Sequence, residues 1–117
     1  MRMPTILVVE DEPASLEGMV TFLEEVGYEV ATATNGEEGL QEAERVNPDL
    51  ILSDIQMPVM DGMELLEKLC EKRSESSFII TTGVGTIRSA VQAMLLGAEN
   101  YLTKPIDFDE LQVVLNR

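Results

Sequence analysis

Ile6-Leu7-Val8-Val9-Glu10-Asp11-Glu12-Pro13 (residues 6–13) joins an unbroken apolar run to an acidic triplet and a proline. Four consecutive β-prone apolar residues leave no polar face, so the run reads as a strand covered on both sides. Pro13 then suits the first turn of a helix, where a missing N–H is tolerated. A doubly covered strand leading directly into a helix is how a parallel α/β sheet begins.

The alternation continues in both directions from that stretch. Strand-like runs are read at 5–9, 28–32, 50–53, 78–82 and 101–103, and those at 50–52 and 78–80 are again continuously apolar. Between them, apolar residues recur at helical spacing. The stripes are Leu16, Met19, Val20, Leu23 and Val26; Leu40, Ala43 and Val46, closed by Asn47-Pro48; and Leu65, Leu66, Leu69 and Cys70. A fourth holds Ile87, Ala90, Val91, Met94 and Leu95, closed by Gly97, and a fifth starts with Phe108, Leu111, Val114 and Leu115. Most of the fourth stripe is expected to be ordinary core, and Cys70 a core thiol. Parallel neighbours need crossover connections, so this is a doubly wound α/β fold with a five-stranded parallel sheet and five helices. Chain length and element count favour the flavodoxin-like strand order 2-1-3-4-5. The last stripe reaches Arg117 with no cap or glycine stop, so residues 1–117 are expected to be one domain cut from a longer chain.

The 117 residues, 44% of them apolar, suffice for one core. No run approaches the roughly 18 apolar residues of a membrane helix, and Met1-Arg2-Met3-Pro4 makes a poor signal peptide, so a cytoplasmic location is expected. Twenty-two acidic residues against eight basic ones argue against direct nucleic-acid binding. Much of that charge serves solubility. The single cysteine excludes an internal disulfide, and the lack of histidine excludes a His-centred triad or a phosphohistidine relay in this chain.

Ligands of open α/β sheets bind beyond the carboxyl ends of the strands. Those ends carry Glu10-Asp11-Glu12, Asp54, Thr82-Gly83 and Lys104-Pro105. Carboxylates brought about 4 Å together repel by roughly 4 kcal/mol at an effective dielectric near 20. Lys104 offsets part of this, and a divalent cation would offset the rest. An oxygen-only ligand set favours Mg²⁺ or Mn²⁺ over zinc. The bland reading is that Asp11 or Glu12 merely caps the next helix. A carboxylate can also act as a nucleophile that forms an acyl phosphate, and phosphoryl transfer needs positioning and charge neutralisation above all. The Thr82 hydroxyl and the Gly83 backbone N–H could then bind phosphate oxygens, whereas Thr81 reads as a plain strand residue.

ILVVEDE (6–12), SDIQMPVMDG (53–62), ITTGVGT (80–86) and YLTKP (101–105) resemble, in order and spacing, the signature segments of response-regulator receiver domains. The resemblance spans the whole chain. It implies a phosphorylation-dependent switch in two-component signalling, with Asp54 accepting a phosphoryl group from a sensor histidine kinase or acetyl phosphate. It further implies Mg²⁺ held by Asp11, Asp54 and the Gln56 main-chain carbonyl, with Glu10 acting through water. Thr82 becomes the switch hydroxyl, Tyr101 the aromatic switch coupled to it, and Lys104 the phosphoryl contact, next to a cis Lys104–Pro105 bond. Such a domain catalyses its own phosphorylation and slow dephosphorylation without being a turnover enzyme, and relays the change to a C-terminal output domain.

Two positions depart from a common pattern of the family. Glu10 replaces a frequent Asp, and its longer arm still permits a contact through water. Val84, often polar in fast-cycling receivers, cannot orient a hydrolytic water, so with Gln56 it is expected to give slow phosphate loss. The stretch from Gly83 to Pro105 most resembles nitrogen-regulator-type receivers, which precede AAA+ ATPase and DNA-binding modules. In this family a homodimer through the fourth helix, fifth strand and fifth helix is a further expectation.

Rival readings fit less well. A haloacid-dehalogenase-like phosphatase needs a second Asp two residues after the nucleophile, where Gln56 stands, and a cap domain this length cannot hold. A degenerate docking module would not need Asp11, Asp54, Thr82 and Lys104 together. A dinucleotide-binding domain needs a Gly-rich turn after the first strand, which here reads Glu-Asp-Glu-Pro.

Overall fold

The computed structural model describes residues 3–83 and 87–116. Its elements are β1 (Thr5–Val9), α1 (Pro13–Val26), β2 (Glu29–Ala33), α2 (Gly36–Val46), β3 (Leu50–Asp54), α3 (Gly62–Glu71), β4 (Ser77–Thr82), α4 (Ile87–Leu95), β5 (Asn100–Thr103) and α5 (Phe108–Leu115). All strand pairs are parallel, in the expected order β2-β1-β3-β4-β5.

The continuous apolar runs divide by the two-residue period of the strand. Leu7, Val9, Ile51, Phe78 and Ile80 face one core, with Ala43 of α2, Leu65, Leu66 and Leu69 of α3 and Ala93 of α4. Ile6, Val8, Leu52, Ile79 and Leu102 face the other, with Met19 and Leu23 of α1 and Leu111 of α5. Each of the larger side chains so buried contributes about 1.5–3 kcal/mol relative to exposure. No described helix is long and apolar enough to cross a membrane.

Three expectations change. β2 starts at Glu29 because Tyr28 still belongs to the end of α1: Gly27 is left-handed (φ 110°) and the Tyr28 N–H donates to the Leu23 carbonyl at 3.0 Å. Cys70 is exposed. It lies in the last turn of α3, on a groove shared with Arg73, Leu96 and Gly97, where no described neighbour closes over it. The apolar stripe of α4 is not core: Ile87 is 85%, Val91 52%, Met94 45% and Leu95 82% exposed. Ala93 is the buried residue of α4, with Ser89 and Ala90 half-buried beside it. These small residues let the helix lie close to the sheet, so the bulkier stripe turns outward.

Candidate functional site

The carboxyl ends of β1, β3 and β5 converge on one rim. Glu10 and Asp54 are buried there, at 5% and 7% exposure, beside an exposed Asp11. Carboxylate oxygens of Glu10, Asp11 and Asp54 all lie within 4.8 Å of one another. Lys104 Nζ reaches Asp54 Oδ2 at 3.0 Å and also forms an ion pair with Glu10 Oε1. Glu10 uses its other oxygen to accept the Glu12 N–H at 3.2 Å.

The acidic triplet after β1 therefore divides its labour. The Glu12 side chain caps α1, accepting from the Ser15 N–H at 2.6 Å and the Ala14 N–H at 3.2 Å. Those donors, Ser15 foremost, hold its pKa below the usual value. Burial is the largest influence on Glu10 and raises its pKa despite the Lys104 contact. Burial also pulls Lys104 down, but its hydrogen bonds to Glu10 and Asp54 outweigh that and leave its pKa raised.

One ammonium thus pairs with two of the three carboxylates, and the remaining negative charge suits a divalent cation. The donors are all oxygens. Mg²⁺ takes ligands at about 2.0–2.1 Å, so two on opposite sides stand roughly 4 Å apart. Oxygens within 4.8 Å of one another would have to draw in by less than about 1 Å to share such an ion.

The strand end bearing Asp54 is held from several directions. The Ser53 hydroxyl, fully buried, donates to the Asp54 carbonyl at 2.9 Å. A Cβ on Gly62 would lie 2.0 Å from that same carbonyl oxygen, so α3 can start this close only with glycine. The Gly62 N–H donates to the Ile55 carbonyl at 2.8 Å, and Asp61 caps α3 by accepting the Glu64 N–H at 2.8 Å. In the intervening loop Val59 is left-handed (φ 70°) and 74% exposed, a costly conformation for a β-branched residue. The Gly36 N–H, at the start of α2, anchors that loop through the Met60 carbonyl at 2.9 Å.

Thr82 is buried at the end of β4, and its carbonyl accepts the Lys104 N–H at 2.7 Å. The Lys104–Pro105 peptide bond is cis. Tyr101 is half-buried on the α4 side of β5, its hydroxyl 2.7 Å from Ser89 Oγ. Gln56 is exposed in the loop after β3 and Gly83 is exposed after β4. Val84 lies outside the described residues. The rim thus unites Glu10, Asp11, Asp54 and Lys104, with Thr82 tied in through the backbone. Sequence reading assigned no role to Ser53, Gly62 or Ser89. Gly62 had a signal, an Asp-Gly pair at a helix start, whereas a lone Ser in a strand or helix has none.

Residues 6–116 match the family described as the response regulator receiver domain. The chain belongs to that family. This receiver domain is 35% identical over 111 residues to the DNA-binding dual master transcriptional regulator RpaA of Synechocystis, covering 93% of the chain and 46% of that protein. It is 34% identical over 112 residues to the Regulatory protein AtoC of Escherichia coli, covering 96% of the chain and 24% of that protein. The chain therefore spans less than half the length of these relatives. A CheY-like receiver domain from Methanospirillum hungatei superposes with a TM-score of 0.93 at 35% identity, covering 98% of this chain and 92% of that one. Membership makes this a domain of two-component signalling, in which phosphorylation drives a switch.

Proposed function

We propose that Asp54 is the residue that accepts the phosphoryl group, from a sensor histidine kinase or acetyl phosphate. The observation that carries this reading is the Asp54 carboxylate, buried at a strand end, paired with Lys104 at 3.0 Å and flanked by Glu10 and Asp11. An Asp54 oxygen attacks phosphorus, the O–P bond forms, and the bond to the donor breaks with its electron pair leaving on the donor. Lys104, already at the carboxylate, turns to the arriving phosphoryl oxygens and keeps their charge in balance. Asp11, Asp54 and the Gln56 carbonyl would hold Mg²⁺ (or Mn²⁺), with Glu10 acting through water. When bound, the ion supplies charge neutralisation at the phosphoryl oxygens. Thr82 and the Gly83 N–H then bind the acyl phosphate, and Tyr101 follows Thr82 as the aromatic switch.

The domain acts on itself and not as a turnover enzyme: it catalyses its own phosphorylation and loses phosphate slowly, with Gln56 and Val84 setting the pace. It works in the cytoplasm as part of a longer chain and passes its state to a C-terminal output domain, of AAA+ ATPase and DNA-binding type. Coverage of about a quarter of AtoC leaves room for such a module. The excess of acidic residues, 22 against 8 basic, leaves nucleic-acid contact to that module. The exposed α4 stripe supports pairing of two copies through the α4–β5–α5 face.

Intact-mass measurement with acetyl phosphate tests the reading. A single phosphoryl adduct should form with Mg²⁺, fail with chelator, and vanish in Asp54→Asn. Continuous acetyl phosphate turnover at enzyme rates would point instead to a phosphatase, and no adduct to a docking module.

A further inference from the structure

We propose that Ser89 is a positioning residue for Tyr101: its hydroxyl ties the ring of β5 to the start of α4 and sets how readily the domain adopts its phosphorylated arrangement. This rests on reading Tyr101 as the aromatic switch. Ser89 is the third residue of α4, half-buried, with its Oγ 2.7 Å from the Tyr101 hydroxyl. Either oxygen can donate.

What surrounds this contact gives it weight. The inward face of α4 offers Ala90 and Ala93, which bury little apolar area, while Ile87 and Leu95 point outward at 85% and 82% exposure. A helix held so lightly depends more than most on a polar link to the sheet. That link also sits in the first turn of α4, the element that follows Thr82 and β4 in the chain. Of the two sides of the expected switch, the aromatic ring thus reaches the start of α4 through Ser89.

A bond kept in only one of two arrangements weighs on the balance between them, so its removal shifts that balance. A net hydrogen bond corresponds to roughly a three- to tenfold change in such an equilibrium.

Beryllofluoride with Mg²⁺, a non-covalent mimic of the acyl phosphate, is titrated into the chain and the backbone amide of residue 101 is followed by NMR. In the wild type this amide should shift on saturation. Ser89→Ala and Tyr101→Phe should each move the half-saturating concentration by roughly three- to tenfold, and in the same direction. The double variant should go no further than either single change, because both remove the same bond. Ser89→Thr, which keeps the hydroxyl, should restore the wild-type midpoint. A wild-type amide that does not shift overturns the switch role of Tyr101, and the proposal with it. A shifting amide with an unchanged Ser89→Ala midpoint, or additive effects in the double variant, overturns the role of Ser89 alone.

Discussion

Two glycine-to-alanine substitutions, both in helices, should move stability in opposite directions. Gly18 lies inside α1 and a Cβ there meets nothing within 4 Å. It lines a cavity of about 220 Å³ between α1 and the segment after β5. Alanine should therefore add the usual helix advantage of roughly 0.5–1 kcal/mol. Gly62 opens α3, and helix propensity alone predicts the same gain. There, however, the new methyl carbon would sit 2.0 Å from the Asp54 carbonyl oxygen, a backbone atom that cannot swing aside. Overpacking of this kind costs about 1–3 kcal/mol, and moving α3 away also strains the 2.8 Å Gly62–Ile55 hydrogen bond, worth about 1 kcal/mol. After the propensity gain, a net loss of roughly 2 kcal/mol remains. Unfolding entropies near 2.1 cal/mol/K per residue make each kcal/mol worth about 4 °C in a domain this size. Calorimetry should therefore show Gly62→Ala melting about 8 °C lower, and Gly18→Ala about 2–4 °C higher. The Gly62 variant should also label more slowly with acetyl phosphate, because the carbonyl that must yield belongs to Asp54. A Gly62→Ala protein as stable as the wild type would refute the close approach of α3 to β3.

Three further outcomes follow from other parts of the molecule. Val59→Gly removes a left-handed β-branched residue, a strain of about 1–2 kcal/mol, against an entropic cost of roughly 0.5–1 kcal/mol for glycine; denaturant titration should show no loss and up to about 1 kcal/mol gained, and a clear loss would contradict it. Because Glu12 has a lowered folded pKa, its capping contribution is fully present above the ordinary value of 4.5 and is lost as pH falls through the folded value. The stability gap between wild type and Glu12→Gln should thus hold steady at neutral pH and close in acid; a gap that widens in acid would be the wrong sign. Phosphate should leave Asp54 with a half-life of minutes or longer, and Val84→Glu should shorten it; a half-life of seconds in the unmutated domain would remove Val84 from the account.

The fold was largely legible because its three central strands are buried on both faces. Ile6 to Val9 read as one apolar run yet feed two cores, and the runs at 50–52 and 78–80 repeat that pattern in the other two central strands. The rim was legible because strand ends are where such sheets bind ligands, so Glu10, Asp11, Asp54 and Lys104 could be gathered across 94 positions of chain. Periodicity stopped short at α4. It finds an amphipathic helix but does not say which side meets the sheet, and the small residues Ala90 and Ala93 won that place over Ile87 and Leu95. Cys70 shows the same limit at a helix end, where spacing continues after the neighbouring layer has stopped. The roles of Ser53, Gly62 and Ser89 depend on individual contacts between elements, which spacing does not encode.

A phosphoryl group carried by Asp54 would be an acyl phosphate. An acyl phosphate is reduced by borohydride to an alcohol, which converts the modified aspartate to homoserine. After treatment with acetyl phosphate and Mg²⁺, peptide sequencing by mass spectrometry should find homoserine at position 54 and nowhere else. Homoserine at position 11, the corresponding alcohol at position 10, or none in a chain that carries the adduct would contradict Asp54 as the acceptor.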